Sequence, residues 1–297
     1  YAGLYGINLN PAGMGVSKLY LDFNLLAVNS SFTNNYAFID GGDYLDLIFN
    51  GTVPKYYTAE HEERNYTIYR ENENYRGGFQ NWIMGPGAML VDGKHSYGIT
   101  TGFKTNISFH QLPNDMGIFL YEAIDYDPQH NITYSHQKKI QTGSMAWFEL
   151  GLSYAYNFKR YKLDSWSFGI TVKPLFGTMG TFINIDQLTY RVHNDDSATV
   201  YNATFDYGYA IPIDYETNAF PKNPVIKGFG WGLDLGIVYA RTTKGHSTRY
   251  YTRLCEQPYE EYNYKIGVSI LDLGYIKFTQ DAERNYFINT STEWFRP

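Results

Sequence analysis

Apolar and polar residues alternate along several segments of the chain, most clearly between Phe229 and Tyr239. In this segment the odd positions are large and apolar, and the even positions are small or polar. Because successive side chains of a β-strand point to opposite faces, the alternation predicts a strand with one apolar face and one thin, polar face. The thin face is mostly Gly and Ala, which suits a curved wall around an enclosed space. Aromatic residues at both ends of the row are typical of a strand that crosses a membrane. The predicted lipid-facing residues are Phe229, Trp231, Leu233, Leu235, Ile237 and Tyr239.

Six further segments carry a related pattern, which gives seven predicted strands in all. In chain order these six are Ser17–Asn29, Gly78–Val91, His95–His110, Ala146–Phe158, Trp166–Phe182 and Tyr259–Phe278. Pro86 should interrupt the second strand, and Asp92-Gly93 predicts a tight hairpin. The apolar phase changes at Ile270-Leu271, which predicts a β-bulge. Short helices are predicted at 43–49 and 115–124.

Long and short connections alternate along the chain. Polar, Tyr-rich excursions at 30–77, 111–142 and 183–227 alternate with connections at 92–94, 159–164 and 241–258. This asymmetry is typical of outer-membrane barrels, which have long external loops and short periplasmic turns. We therefore predict a single transmembrane antiparallel β-barrel domain over 1–297, with 1–15 as an N-terminal periplasmic or lumenal segment.

The seventh predicted strand runs outward, so we expect the residues after Phe278 to form a fourth external excursion. An odd number of strands does not return both chain ends to the periplasm, as single-chain bacterial barrels require. We therefore expect the sequence to be an N-terminal portion of a longer barrel chain, in mature or partial form. The alternative is a further strand within the hairpin-like segment Thr189–Tyr209.

Composition supports the interpretation as a membrane protein and excludes several other classes of protein. Aromatic residues make up 18% of the chain, with 30 Tyr, which suit membrane interfaces and contact loops. No apolar run is long enough for a transmembrane helix. A net charge of −6 without a basic stripe argues against nucleic-acid binding. A single cysteine, Cys255, excludes a disulfide framework and a cysteine metal cluster. A soluble Tyr-rich β-sandwich is the main structural alternative.

The predicted polar faces carry charges of both signs. These lumen-facing residues are Asp22, Lys104, Glu149, Lys173, Asp234, Lys265 and Asp272. They could line a polar, weakly selective lumen or form an internal ion-pair network. We favour the network, because buried charges must pair and narrow or plugged barrels fill their interiors.

Motifs for catalysis or metal binding do not stand out. The chain has no His-Glu-X-X-His or Gly-X-Ser-X-Gly motif, and we expect His61, His130 and His136 to be surface loop residues. Catalysis by a Ser–His pair brought together by the fold stays open. We predict no cofactor, no metal site and no enzymatic activity.

The run Asn10-Pro11-Ala12-Gly13-Met14 lies just before the first predicted strand, and by itself it predicts a tight turn. In this position it also resembles the N-terminal signature of FadL-like outer-membrane barrels. That superfamily includes transporters of hydrophobic compounds and the PorV subunit of type IX secretion. The resemblance implies a barrel of fourteen strands.

A second resemblance covers the runs 1–12 and 22–26, which are similar to an uncharacterised Bacteroidota family of outer-membrane barrels. The run Gly267–Gly274 is similar to that family and to the PorP/SprF group. Members often continue into an OmpA-like peptidoglycan-binding domain, which lies outside this sequence. Asp196-Ser197-Ala198 resembles the short O-glycosylation site of Bacteroidota, which makes Ser197 a candidate for modification. The resemblance implies a non-enzymatic protein in the outer membrane of a Gram-negative bacterium.

Two functions are compatible with these features. The first is a structural or docking subunit of a Bacteroidota-type envelope complex in secretion, barrel assembly or peptidoglycan anchoring. Its partners would be outer-membrane lipid or lipopolysaccharide, other envelope proteins and, through the OmpA-like domain, peptidoglycan. The alternative is a FadL-like transport pore for a small hydrophobic or amphiphilic compound. Long Tyr-rich loops and a lumen of mixed charge favour the docking role.

Overall fold

The computed structural model describes residues 3–296 except 18, 36, 40, 58–62, 66, 69–73, 123, 162–163, 215–219, 222, 243–248, 252–254 and 260–261. The described chain is mostly β-strand, and twelve strands form one antiparallel sheet. None of the described helices has the length and apolar character needed to cross a membrane.

The strands, numbered in chain order, have the following bounds: β1 Leu21–Asn24, β2 Ala27–Asn34, β3 Ala37–Phe38, β4 Tyr56–Tyr57, β5 Glu63–Arg64, β6 Thr67–Ile68, β7 Tyr75–Met84, β8 Gly87–Asp92, β9 His95–Leu112, β10 Thr133–His136, β11 Ile140–Tyr161, β12 Asp164–Asn194, β13 Ser197–Ala210, β14 Gly228–Thr242, β15 Arg249–Tyr251, β16 Cys255–Tyr259, β17 Tyr262–Phe278 and β18 Glu283–Phe295. The α-helices are α1 Leu4–Ile7, α2 Gly41–Asn50 and α3 Asn114–Glu122, and the 3-10 helices are Pro11–Val16 and Asp127–Gln129. The predicted helices at 43–49 and 115–124 are confirmed by α2 and α3.

The large sheet is a meander of seven strand lines. In spatial order they are β1 with β2, β7 with β8, β9, β10 with β11, β12, β13 with β14, and β17 with β18. The first part of β12 pairs with β14 and its last part pairs with β13, so β13 and β14 together form one line. The seven predicted segments agree with these seven lines in number and order.

Two predictions about the loops are wrong. The segment 183–210 is not a polar loop, because β12 continues to Asn194 and β13 returns beside it. The alternative of a further strand within 189–209 is therefore correct. Residues 283–295 form β18, although we expected an external excursion there. In β12 the apolar phase shifts at the irregularity between Ile185 and Gln187, and in β18 the residues 286–288 are all apolar or aromatic. Neither extension therefore continues one uninterrupted alternation of the kind on which the prediction rests.

Local irregularities occur where the sequence predicts them. The line of β7 and β8 is interrupted at Gly85-Pro86, and Gly93 adopts a φ of +60° in the hairpin that follows. In the last line, Leu233 pairs with Leu273 and Leu235 pairs with Ile270. Two residues of β17 therefore lie opposite one residue of β14, which confirms the predicted bulge.

The two faces of the sheet differ in how far their side chains are buried. In β14 every even residue from 228 to 240 is buried, whereas the odd residues are half-buried or exposed. The buried face packs against residues 3–17, and we call it the N-terminal face; the other is the apolar face. Large apolar side chains on the apolar face remain exposed, such as Trp231 at 49%. This distribution is the reverse of that in a soluble sheet, which buries its apolar face.

Among the described residues, the first and last strand lines each pair on one side only. The twelve strands therefore form an open antiparallel sheet, and the closed barrel predicted from the sequence does not appear in this part of the chain. In an antiparallel meander of seven lines, the first and seventh lines run in the same direction.

Candidate functional site

The N-terminal segment, residues 3–17, lies on the N-terminal face of the sheet. Asn10 begins its 3-10 helix, and the Asn10 Oδ1 atom accepts a hydrogen bond of 2.9 Å from the backbone N–H of Ala12. Pro11 occupies the first helical position, where its missing N–H costs no hydrogen bond. The run predicted as a tight turn is thus a short helix, with Pro11, Ala12 and Met14 buried and Gly13 half-buried.

Two glycines of the sheet allow this segment to approach the backbone closely. A Cβ atom added to Gly169 of β12 would lie 2.2 Å from the backbone nitrogen of Ala12. A Cβ atom added to Gly236 of β14 would lie 2.1 Å from Asn10 Oδ1. Because any larger residue would collide with the segment, these small positions define where the segment sits.

Polar contacts fix the middle of the segment across two neighbouring strands. The Asn10 Nδ2 atom donates hydrogen bonds to the carbonyl oxygens of Ile237 at 3.3 Å and Val268 at 3.2 Å. The Ser269 hydroxyl donates to the carbonyl oxygen of Leu9 at 2.7 Å. The segment is therefore bonded to both β14 and β17.

The start of the segment is held by Asp22, the first of the predicted lumen-facing charges. Its Oδ2 atom accepts a hydrogen bond of 2.7 Å from the backbone N–H of Leu4, at the beginning of α1. Leu4 and Met14 belong to a buried apolar cluster that also contains Met89 of β8. Asp22 thus binds the segment, and among the described residues it forms no ion pair with the other predicted charges.

Five of the predicted lumen-facing charges meet in one ion-pair network on the N-terminal face. Lys173 Nζ lies 2.6 Å from Asp234 Oδ2 and 2.7 Å from Asp272 Oδ1. Lys104 Nζ lies 3.2 Å from Glu149 Oε2 and 3.3 Å from Asp272 Oδ1. The side chains of Lys173 and Asp234 are only 4% and 1% exposed, so these charges depend on one another.

The bulge in β17 places the central carboxylate of the network. Asp272 has a positive φ of 54°, and its backbone N–H donates a hydrogen bond of 2.7 Å to Asp234 Oδ1. This conformation directs the Asp272 carboxylate between Lys104 and Lys173. The remaining predicted charge, Lys265, lies on β17 outside these ion pairs and is exposed.

The predicted apolar row lies on the opposite face. Its six residues occupy alternate positions of β14 and pair with apolar residues of β12. Aromatic rings meet at both ends of the row: Phe229 lies 5.5 Å from Phe176, and Tyr239 lies 4.7 Å from Trp166, between ring centroids. The row therefore continues sideways into neighbouring strands as two bands of aromatic residues.

A buried polar cluster, which the sequence did not reveal, joins α3 to the far end of β12. Asp115 Oδ2 accepts a hydrogen bond of 2.7 Å from the Tyr190 hydroxyl and lies 2.8 Å from His136 Nε2. Burial raises the pKa of the Tyr190 phenol, and the neighbouring Asp115 carboxylate raises this pKa further. His136 is half-buried and bonded, so its prediction as a surface loop residue is wrong; His61 lies outside the described residues.

Asp127, His130 and Asp195 bring potential metal ligands within 4.8 Å of one another. The Nε2 atom of His130 donates a hydrogen bond of 2.7 Å to the carbonyl oxygen of Ile124, which leaves Nδ1 as the one nitrogen that could bind a metal. The carboxylates of Asp127 and Asp195 are mostly exposed. We therefore assign no metal to this group. His130 itself is half-buried, which differs from the predicted surface position.

The candidate modification site, Ser197, is the first residue of β13. Its hydroxyl donates a hydrogen bond of 3.0 Å to Asn194 Oδ1, and the residue is half-buried at the turn between β12 and β13. The hydroxyl therefore already has a partner within the turn.

No curated protein matches the chain, and no solved structure matches it. A family of unknown function, DUF5723, matches residues 11–295. The matched region starts at Pro11 in the N-terminal segment and ends at the last residue of β18, so it includes the whole of the large sheet. The chain belongs to the DUF5723 family.

Proposed function

We propose that the sheet forms part of an outer-membrane β-barrel, and that the protein is a non-enzymatic structural or docking subunit of an envelope complex. The observation that carries the proposal is the reversed burial of the two faces. Small and polar side chains such as Thr171 and Asp234 are buried, whereas Phe168 and Trp231 are 45% and 49% exposed. Contiguous apolar surface of this kind is unfavourable in water and favourable in lipid.

The height of the apolar face supports a membrane-spanning role. Phe229 and Tyr239 mark the two aromatic bands and are ten positions apart in β14. At about 3.4 Å per residue they are separated by about 34 Å along the strand. With the strand tilt of about 35–45° found in such barrels, this length gives a height of about 24–28 Å, close to the usual apolar band of about 25 Å.

The proposed barrel requires additional strands. The first and seventh strand lines run in the same direction, so they cannot pair with each other in an antiparallel way. Further strands would therefore pair with β1 and β2 on one side and with β17 and β18 on the other.

The contents of the N-terminal face favour the structural role over an open pore. Residues 3–17 and the ion-pair network occupy the face between β9 and β17. Beyond the apolar band, β12, β13 and β18 extend the sheet, and Phe287 stacks between strands at 4.9 Å from Phe205 and 6.1 Å from Tyr207. Clustered aromatic side chains are common at the centre of protein–protein interfaces, so this stack is the proposed contact surface.

Fractionation and extraction test the proposal in two steps. We expect the protein in the outer-membrane fraction, with heat-modifiable mobility on a gel; recovery as a soluble monomer without detergent would refute the barrel. After gentle detergent extraction, mass spectrometry should find stoichiometric envelope proteins. The double variant Phe205→Ala/Phe287→Ala should lose these partners, and the matched control Phe49→Ala, at an exposed residue of α2, should retain them. Purification of the barrel alone would refute the docking role.

One observation favours the second candidate, a transport pore for a hydrophobic or amphiphilic compound. An apolar cavity of about 430 Å³ lies between α3, β12, β13 and β18, and Met116, Phe119, Leu188, Val200 and Trp294 contribute to its walls. Its volume is in the range of small-molecule sites. A bound amphiphile in the purified protein, or ion conductance of the lone barrel in planar bilayers, would support this role in place of docking.

A further inference from the structure

A separate cavity of about 310 Å³ lies on the N-terminal face, between residues 5–9 and the strands β2, β7 and β9. Lys104 and Asp272, at the edge of the ion-pair network, form part of its wall. The volume is at the lower end of the range of about 300–1,000 Å³ that is usual for small-molecule sites. The cavity could therefore hold a compact ligand of one or two rings.

Open polar groups line the wall formed by the strands. Ser31, Gln80 and Asn106 are paired across β2, β7 and β9, so their side chains form a row with a spacing of about 4.8 Å. Among the described residues, none of these three side chains has a hydrogen-bond partner. Each amide offers two donor hydrogens and one acceptor oxygen, and the serine hydroxyl can donate or accept. The row can thus bond a ligand that carries several hydroxyl groups.

Aromatic rings form the other part of the wall. Tyr5 of the N-terminal segment and Trp82 of β7 lie 5.4 Å apart between ring centroids, and Trp147 of β11 lies on the far side. Aromatic faces pack against the C–H groups of a saccharide ring, while neighbouring amides bond its hydroxyl groups. Both kinds of contact are present in this cavity.

The charges next to the cavity are already paired. Lys104 contacts Glu149 and Asp272, and Asp272 also contacts Lys173. The network contains two ammonium groups and three carboxylates, so an anionic ligand would find no unpaired cation among the described residues of the wall. An apolar ligand would remove water from Gln80 and Asn106 without replacing its hydrogen bonds, which is unfavourable.

We propose that this cavity binds a neutral saccharide unit, either as a free mono- or disaccharide or as the sugar group of a glycolipid. The proposal depends on the walls of the cavity alone. It goes beyond the docking function and does not require that function to be correct.

The binding test uses the full chain purified in a detergent without a sugar head group. Glucose, N-acetylglucosamine and maltose are titrated separately, and binding is measured by tryptophan fluorescence and by calorimetry. At least one of them should bind saturably and more tightly than glucuronate, glucosamine or octanoate. Dodecyl maltoside, added below its critical micelle concentration, separates the two sources: tighter binding than maltose indicates a glycolipid, and equal binding indicates a free sugar. Failure of all neutral sugars and of the maltoside, or tighter binding of a charged or apolar probe, would overturn the proposal.

Variants locate the site. Gln80→Ala and Asn106→Ala should each weaken binding at least about fivefold, the fold-change equivalent to about 1 kcal/mol for one neutral hydrogen bond. The matched control Gln280→Ala, at an exposed position between β17 and β18, should leave binding unchanged. Heat-modifiable mobility checks that each variant is folded; Gln80 is itself exposed, so its truncation should not disturb folding. Unchanged affinity in folded Gln80→Ala and Asn106→Ala proteins would show that the sugar binds elsewhere.

Discussion

Replacement of Lys173 by methionine removes one charge from the centre of the ion-pair network. Methionine keeps most of the length of the side chain, so the change mainly affects charge. The Lys173 ammonium is only 4% exposed and contacts Asp234 at 2.6 Å and Asp272 at 2.7 Å. Asp272 keeps a second partner in Lys104, whereas Asp234 has no other ion-pair partner among the residues that the structure describes. The substitution therefore leaves a buried carboxylate without its counter-charge.

The expected cost follows from two opposing effects. At an effective dielectric constant of about 20, each of the two contacts contributes an attraction of about 6 kcal/mol. Removing the ions from water costs several kcal/mol each, so the intact network is close to balance. Removal of the Lys173 charge loses the attraction, but Asp234 stays buried and still bears the cost of its lost hydration. We therefore expect Lys173→Met to lower the free energy of unfolding by about 3–5 kcal/mol.

The measurement is denaturant unfolding of the protein in lipid vesicles, followed by tryptophan fluorescence. The double variant Lys173→Met/Asp234→Asn should recover about 1–3 kcal/mol, because the neutral amide needs no counter-charge and can still accept the Asp272 N–H. The control Lys139→Met breaks an exposed pair with Asp186 and should cost less than about 1 kcal/mol. A cost below about 1 kcal/mol for Lys173→Met, or no recovery in the double variant, would refute the reasoning.

Three further substitutions test other parts of the structure. Leu233→Arg should cost about 2–4 kcal/mol in vesicle unfolding if its side chain faces lipid near the bilayer midplane, and Gln280→Arg, at an exposed position between β17 and β18, should cost under about 0.5 kcal/mol; equal tolerance would contradict the assignment of faces. Gly169→Ala should displace the N-terminal segment and speed its proteolysis, whereas Gly143→Ala, whose added Cβ would have its nearest neighbour at 3.5 Å, should not. Tyr190→Phe should cost about 1.5–3 kcal/mol, since it loses a hydrogen bond to a carboxylate. Because the pKa of the Tyr190 phenol is raised above 10.0 in the folded protein, the protonated phenol contributes fully to the free energy of unfolding below about pH 10. This contribution is lost as the pH rises through the folded-state pKa. If Tyr190→Phe lost the same amount of stability at alkaline pH as the unchanged protein, the assignment to Tyr190 would be wrong.

The number of strand lines and their faces could be predicted because period-two alternation is a direct consequence of strand geometry. The row from Phe229 to Tyr239 alternates without exception, and its burial alternates in the same way. Interruptions were also predictable where one residue has a backbone effect, as at Pro86. The bulge was visible because an extra residue shifts the apolar phase at Ile270-Leu271.

The extensions of the sheet were missed because no single apolar phase runs through them, and their polar and Tyr residues are also typical of loops. In β12 the apolar row moves from odd positions, such as Ile183, to even positions, such as Val192, at the irregularity between Ile185 and Gln187. In β13 and β18 aromatic rings stack across the strands. The partners within the ion-pair network were likewise hidden. The sequence shows which charges face one side, but register and the conformation of Asp272 decide which of them meet.

The small residues of the N-terminal face connect these observations to function. The sequence indicates a thin face, and we interpreted its glycines as the wall of an enclosed space. In the structure Gly169 and Gly236 instead receive the N-terminal segment, at distances that no larger residue allows. The part of the face at β12 and β14 is therefore filled. The open part lies at β7 and β9, where the face carries Gln80 and Asn106 in place of the small residues found at β12 and β14. Among the described residues, the amides of Gln80 and Asn106 have no hydrogen-bond partner. In the proposed barrel, a filled part and an open part with free amides would suit the binding of one polar ligand better than a continuous pore.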